Sequence, residues 1–181
     1  MLVRLLYASR ANAPVDEALV ASILEKSHAY NAAHGLTGIL CTSSEGNVFL
    51  QVLEGGRAAV NELYGRILRD PRHTDVTLLD YAEIGERRFA TWRMGNVNLN
   101  RVNRGTVLRF SETPVLDPFQ MSGKCALALL EELMASAAIV SAVTLIGSQS
   151  RPSVRTRTPS RLQDRIASGT PHPQFDAPSV R

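Results

Sequence analysis

Residues 46 to 56 read GNVFLQVLEGG, and the alternation inside this stretch decides the fold. Successive side chains of an extended chain point to opposite faces, so Phe49, Gln51 and Leu53 share one face while Val48, Leu50 and Val52 share the other. One carboxamide thus falls in an otherwise apolar run. Burying an amide without partners costs about 2 to 7 kcal/mol. Gln51 therefore needs a reason to be there.

Working outward, the same periodicities order the rest of the chain. VRLLYAS (3–9) alternates as a strand, and DEALVASILEKSHAYN (16–31) is a helix, with Val15, Leu19 and Ile23 at helical spacing after the turn residues Asn12 and Pro14. GLTGILCTS (35–43) and NVFLQVLEG (47–55) form two strands joined through Ser44, Glu45, Gly46 and Asn47, a short run of turn-forming residues. A second helix, RAAVNELYGRILRD (57–70), carries the stripe Val60, Leu63, Tyr64, Ile67 and Leu68 and stops at Asp70-Pro71. VTLLDYAEI (76–84) and RFATWRMGNVNL (88–99) supply two more strands. The order βαββαββ predicts an α+β ferredoxin-like sandwich: an antiparallel-rich mixed sheet with two helices on one face.

Beyond Asn100 a short helix is expected within Arg101–Phe110, and a longer one from about Pro118 to Ala138, whose Leu127, Leu130, Leu133 and Met134 need a surface to cover. The sheet face left open by the first two helices is that surface. The chain divides into residues 1–100, a helical extension at 101–147, and a basic tail at 148–181 rich in Arg, Ser and Pro that is expected to be disordered.

At 181 residues this is one domain with an appendage. The N-terminal apolar run is broken at Arg4 and does not read as a signal peptide, and no stretch reaches the ~20 apolar residues a bilayer span needs. Cys41 and Cys125 are far apart, and His28, His34, His73 and His172 show no ligand spacing, so a reduced cytoplasmic protein without a metal site is expected. The net charge of +3 is misleading: from Ser148 onward six arginines against two aspartates give +4, leaving −1 for the remainder. A nucleic-acid partner is thus indicated only through the tail, because the strands lack the aromatic pattern of RNA-binding sheets. No nucleophile with its base and no carboxylate dyad stands out, which argues against an enzyme.

The alternation places Val3, Leu5, Tyr7 and Ser9 on one face of the first strand, and Ala90, Trp92, Met94 and Asn96 on one face of the last. If these face the helices with Gln51, a phenol, a carboxamide and an indole converge there. Ile23, Ser27 and Asn31 lie at i, i+4 and i+8 of the first helix and add a second carboxamide. Singly, each also fits a core role: Tyr7 as an amphipathic strand residue, Trp92 and Met94 as packing, Arg72 and His73 as a solvated turn. Together they outline a slot for a flat heteroaromatic with donors and acceptors at its rim.

Across residues 1 to about 100 the sequence resembles the BLUF family of blue-light sensors using FAD. RLLYAS, NAAHGLTGIL, FLQVLEG, RILRDPRH and FATWRMG carry the resemblance, in that order. It implies an FAD ring between the two helices, with Ile23 and Ile67 on its faces, Asn31 at its edge and Arg72 and His73 near the ribityl-phosphate; Ser27 and Phe49 are expected among the residues that bind it. Tyr7 and Gln51 match the photoactive pair, and Trp92 and Met94 the residues that carry the change outward. No cyclase, phosphodiesterase or DNA-binding segment is expected in the remaining residues, so the output would pass to a downstream protein or change a homo-oligomer. A flavin-free ferredoxin-like binding module is the alternative.

Overall fold

The computed structural model describes the backbone of residues 1–148 and the side chains of residues 1–136. The basic tail expected from residue 148 lies, past Ser148 itself, outside the described residues. The elements are β1 (Leu2–Ala11), α1 (Glu17–His34), β2 (Thr37–Ser43), β3 (Val48–Gly56), α2 (Arg57–Ile67), β4 (His73–Ile84), β5 (Gly95–Asn98), α3 (Arg104–Leu108) and α4 (Gly123–Ser148), with 3₁₀ turns at Leu99–Arg101 and Pro118–Gln120. The sheet order is β4-β1-β3-β2-β5. All pairings are antiparallel except the parallel β2–β5 edge. This is the expected ferredoxin-like α+β sandwich.

Local chemistry sets the boundaries. Asp16 caps α1 by accepting the Leu19 N–H at 2.7 Å, and the helix ends at Gly35, whose φ of 62° is left-handed and costs glycine nothing. The β2–β3 loop turns through Asn47 at φ 50°, a conformation that asparagine tolerates. In the sheet Tyr7 pairs with Gln51, and Gln51 with Leu40, so three strands bring these side chains into one row.

The two faces of the sheet bury different cores. Val3, Leu5, Tyr7, Phe49, Leu53 and Leu40 pack with Ile23 of α1 and Val60 of α2. Leu6, Ala8, Ile39, Cys41, Leu50 and Val52 pack with Ala126, Leu127, Leu129, Leu130 and Leu133 of α4. The longer helix does cover the open face, as its stripe predicts. It starts at Gly123 rather than Pro118, because Pro118–Gln120 turns separately under an Asp117 cap. At Gly123 a Cβ would lie 2.3 Å from the Leu79 carbonyl oxygen, so only glycine lets α4 begin this close to β4.

One expected strand is corrected. Residues 88–99 do not form a continuous strand; only Gly95–Asn98 pair with β2. The reason lies in Glu54, which is fully buried and whose two carboxylate oxygens accept the backbone N–H groups of Arg88 at 3.2 Å and Phe89 at 3.0 Å. Arg87 fastens the same segment through the Gly35 carbonyl at 2.6 Å, the Glu54 carbonyl at 3.1 Å and the Thr37 hydroxyl at 3.0 Å. Backbone groups that a ladder would have used are satisfied by this anchor instead. Phe89 turns into the α4 core, so Trp92 and Met94 sit in a loop before β5 rather than on one face of a strand.

Candidate functional site

A cavity of about 300 Å³ lies between α1 and α2 above the sheet, at the lower end of the range for small-molecule sites. Ile23 and Ser27 line it from α1, Ile67 from α2, Tyr7, Leu40 and Gln51 from the sheet, and Arg72 and His73 from the start of β4. Seven of the residues singled out in the sequence therefore share one wall system. Asn31 and Phe49 stand behind it: Phe49 is buried with its ring 5.1 Å from that of His73.

Gln51 is the centre of the arrangement. Tyr7 Oη donates to Gln51 Oε1, and Gln51 Nε2 donates to Met94 Sδ at 3.3 Å. Both ends of the carboxamide are thus engaged, by residues on opposite sides of it. Burial pushes the Tyr7 phenol well above its usual range, with Tyr64 and Asp70 adding to the rise and Arg72 opposing it. The phenol is a neutral donor at physiological pH.

Met94 reaches Gln51 from the loop, although β5 neighbours β2 and not β3. The loop is held to α1 at two consecutive carbonyls: Asn31 Nδ2 donates to Arg93 O at 2.6 Å and His28 Nε2 donates to Met94 O at 2.8 Å. Trp92 is not brought to the cavity. It is 37% exposed, and its ring lies over Gly95, where a Cβ would come within 2.7 Å of it.

The far end of the cavity is polar. Arg72 is gripped by Asp70 through three side-chain contacts, at 2.5, 2.9 and 3.0 Å, and this hydrogen bonding holds the Asp70 carboxyl down at about 2. His73 opens β4 rather than sitting in a solvated turn, and it shares a hydrogen bond with Ser9 Oγ at 2.8 Å. Burial lowers the pKa of its ring below the usual histidine value, with Asp70 opposing that and Arg72 adding to it, which favours the neutral ring.

Sequence reasoning missed several residues. His28, Lys26, Tyr30, Arg66 and Asp70 read as ordinary helix surface or helix end, and Glu54 as the end of a strand. Only Asp70 left a signal, its spacing of two from Arg72.

The residues present fit a flavin. Two isoleucines on opposing helices form apolar walls for a planar ring, and Asn31 Oδ1 is a buried acceptor without a partner among the described residues. A ring N–H at the slot edge would satisfy it.

The comparisons with known proteins point the same way. A family model described as BLUF, "Sensors of blue-light using FAD", matches residues 2–95. Photoactivated adenylate cyclase subunit beta of Euglena gracilis is 40% identical over 88 residues, covering 49% of this chain and 10% of that protein. Its counterpart from Euglena longa is 36% identical over 94 residues, covering 51% and 11%. The chain thus spans about a tenth of the length of the curated relatives it matches. Among solved structures, the dark state of BlrB, a BLUF protein, is 32% identical with a TM-score of 0.63, over 75% of this chain and 96% of that one. The photo-activated state of BlsA is 30% identical with a TM-score of 0.66, over 74% and 94%. With a family match across more than half of its length, the chain belongs to the BLUF family of blue-light sensors.

Proposed function

We propose that this protein binds FAD between α1 and α2 and reports blue light by rearranging the hydrogen bonds of Gln51. The observation that carries the reading is the bonding of one buried carboxamide at both ends, to Tyr7 and to Met94. The bound flavin supplies, on absorbing blue light, a one-electron oxidant. Tyr7 is the donor placed for it, since its phenol becomes strongly acidic on losing an electron and already points its proton at Gln51 Oε1. Gln51 Oε1 would take up that proton while its Nε2 gives one up towards the slot, and one electron and one proton then return to the Tyr7 radical, so that only the bonding of Gln51 has changed. Rotation or tautomerisation of the amide then leaves a second bonding pattern, separated from the first by a few kcal/mol.

In the second pattern Gln51 no longer donates to Met94 as before. Met94 belongs to the segment whose Phe89 packs under α4, so a shift there is felt on the opposite face of the sheet. Residues 1–100 are in this reading the sensing unit and 101–147 the output element. The signal passes in the cytoplasm to a protein partner or to a second copy, and the chain itself catalyses no reaction. Among the described residues no helix is long and apolar enough to cross a membrane.

Flavin binding has a direct test in the dark. FAD should co-purify, and at ~100 times its dissociation constant it should add about 2.7 kcal/mol of stability, raising Tm by several degrees. A Tm indifferent to FAD would contradict the slot and favour a flavin-free module.

A further inference from the structure

The flavin reading leaves two cations of the slot without a task. Lys26 on α1 and Arg66 on α2 both line the cavity, from the two helices that wall it. The oxidised flavin ring carries no net charge, so neither is needed to hold it. Arg72, which the family resemblance places near the ribityl-phosphate, is neutralised by its bidentate grip on Asp70. Lys26 is exposed and takes part in none of the ion pairs among the described residues. Among the described residues Arg66 pairs only with Glu62, one turn away at 2.7 Å, and both side chains are more than half exposed. A pair of that kind is weak and easily exchanged for a better anion.

Arg66 is also held in place from across the slot. Its guanidinium lies 4.8 Å from the centre of the Tyr30 ring, which belongs to α1 and is itself stacked on His34 at 3.9 Å. The side chain therefore reaches from one wall towards the other. Tyr30 Oη is buried and without a partner among the described residues, which leaves a free donor in the same wall.

We propose that Lys26 and Arg66 form a clamp for the phosphate-bearing tail of the flavin, with Tyr30 positioning the guanidinium. Resting as it does on flavin binding at this slot, the inference adds where affinity for a phosphorylated flavin over riboflavin comes from. Arg66 exchanges Glu62 for phosphate oxygens, which accept from its fork, and Lys26 donates from the opposite helix. The monophosphate of FMN and the diphosphate of FAD share this chemistry.

The test is dark equilibrium binding of riboflavin, FMN and FAD, followed by flavin fluorescence or calorimetry, to the full chain and to Lys26→Gln, Arg66→Gln and the double variant. The wild type should prefer a phosphorylated flavin to riboflavin by about tenfold or more, and the preference should shrink as salt rises. The double variant should lose the preference while binding riboflavin within about twofold of the wild type, which also shows that the slot is still folded. Loss for FAD and FMN alike places the clamp on the phosphate next to the ribityl chain, and loss for FAD alone places it on the second phosphate; both support the proposal. A wild type that binds riboflavin as tightly as FAD, or a double variant that keeps its preference, would overturn it while leaving the flavin slot standing. Failure of all three flavins to bind the wild type would overturn the slot, and the clamp with it.

Discussion

Tyr7→Phe should keep flavin in the slot and abolish the light-induced red shift. The substitution retains the ring that packs 5.6 Å from Tyr64 and removes only the hydroxyl, which is the donor to Gln51 Oε1. The amide oxygen then lacks its partner, and a buried acceptor left unpaired costs about 1 to 3 kcal/mol, so Tm should fall by a few degrees. Photochemistry loses more: without the phenol neither the electron nor the proton has a source at the carboxamide. Gln51→Leu should abolish the shift as well, by removing the relay and leaving Tyr7 and Met94 without their shared partner. The two variants should differ in excited-state lifetime. With Gln51 replaced, Tyr7 still quenches flavin fluorescence by electron transfer; with Tyr7 replaced, the lifetime lengthens, because Trp92 sits 37% exposed in the loop and outside the slot. A normal, reversible red shift in either variant would return that residue to a packing role.

Truncation of the chain before Asp117 should make the protein aggregate. It removes Ala126, Leu127, Leu129, Leu130 and Leu133, all buried against the sheet, and uncovers Leu6, Ile39, Leu50 and Val52. Burying one large aliphatic side chain is worth about 1.5 to 3 kcal/mol, so the four leucines alone approach the 5 to 15 kcal/mol by which domains are usually stable. The uncovered face is a contiguous apolar patch. Removing residues 149–181 instead, a stretch rich in Arg, Ser and Pro, should leave solubility and photocycle unchanged. Size-exclusion profiles of the two truncations decide the matter, and equal solubility would contradict the role given to α4.

How far the sequence could be read depended on the range of the interactions. The two faces of β1 and β3 were legible because period-two alternation is local, and pairing in register then puts Tyr7 beside Gln51 without further information. The stripe Ile23, Ser27, Asn31 was legible for the same reason. The segment before β5 was not. Ala90, Trp92 and Met94 alternate as a strand would, yet Glu54, more than thirty residues away, takes up the backbone donors of Arg88 and Phe89 and prevents the ladder. Periodicity carries no trace of such a partner. Lys26, Tyr30 and Arg66 were illegible for another reason: long amphipathic side chains on a helix look alike whether they face water or the mouth of a slot.

The absorption spectrum of the purified full chain with FAD, recorded before and after blue light and again in the dark, tests the central claim most directly. The account predicts a flavin spectrum that moves slightly to the red on illumination, without bleaching, and returns in the dark. A spectrum unchanged by light, or one that bleaches without a red shift, would contradict a Gln51 switch.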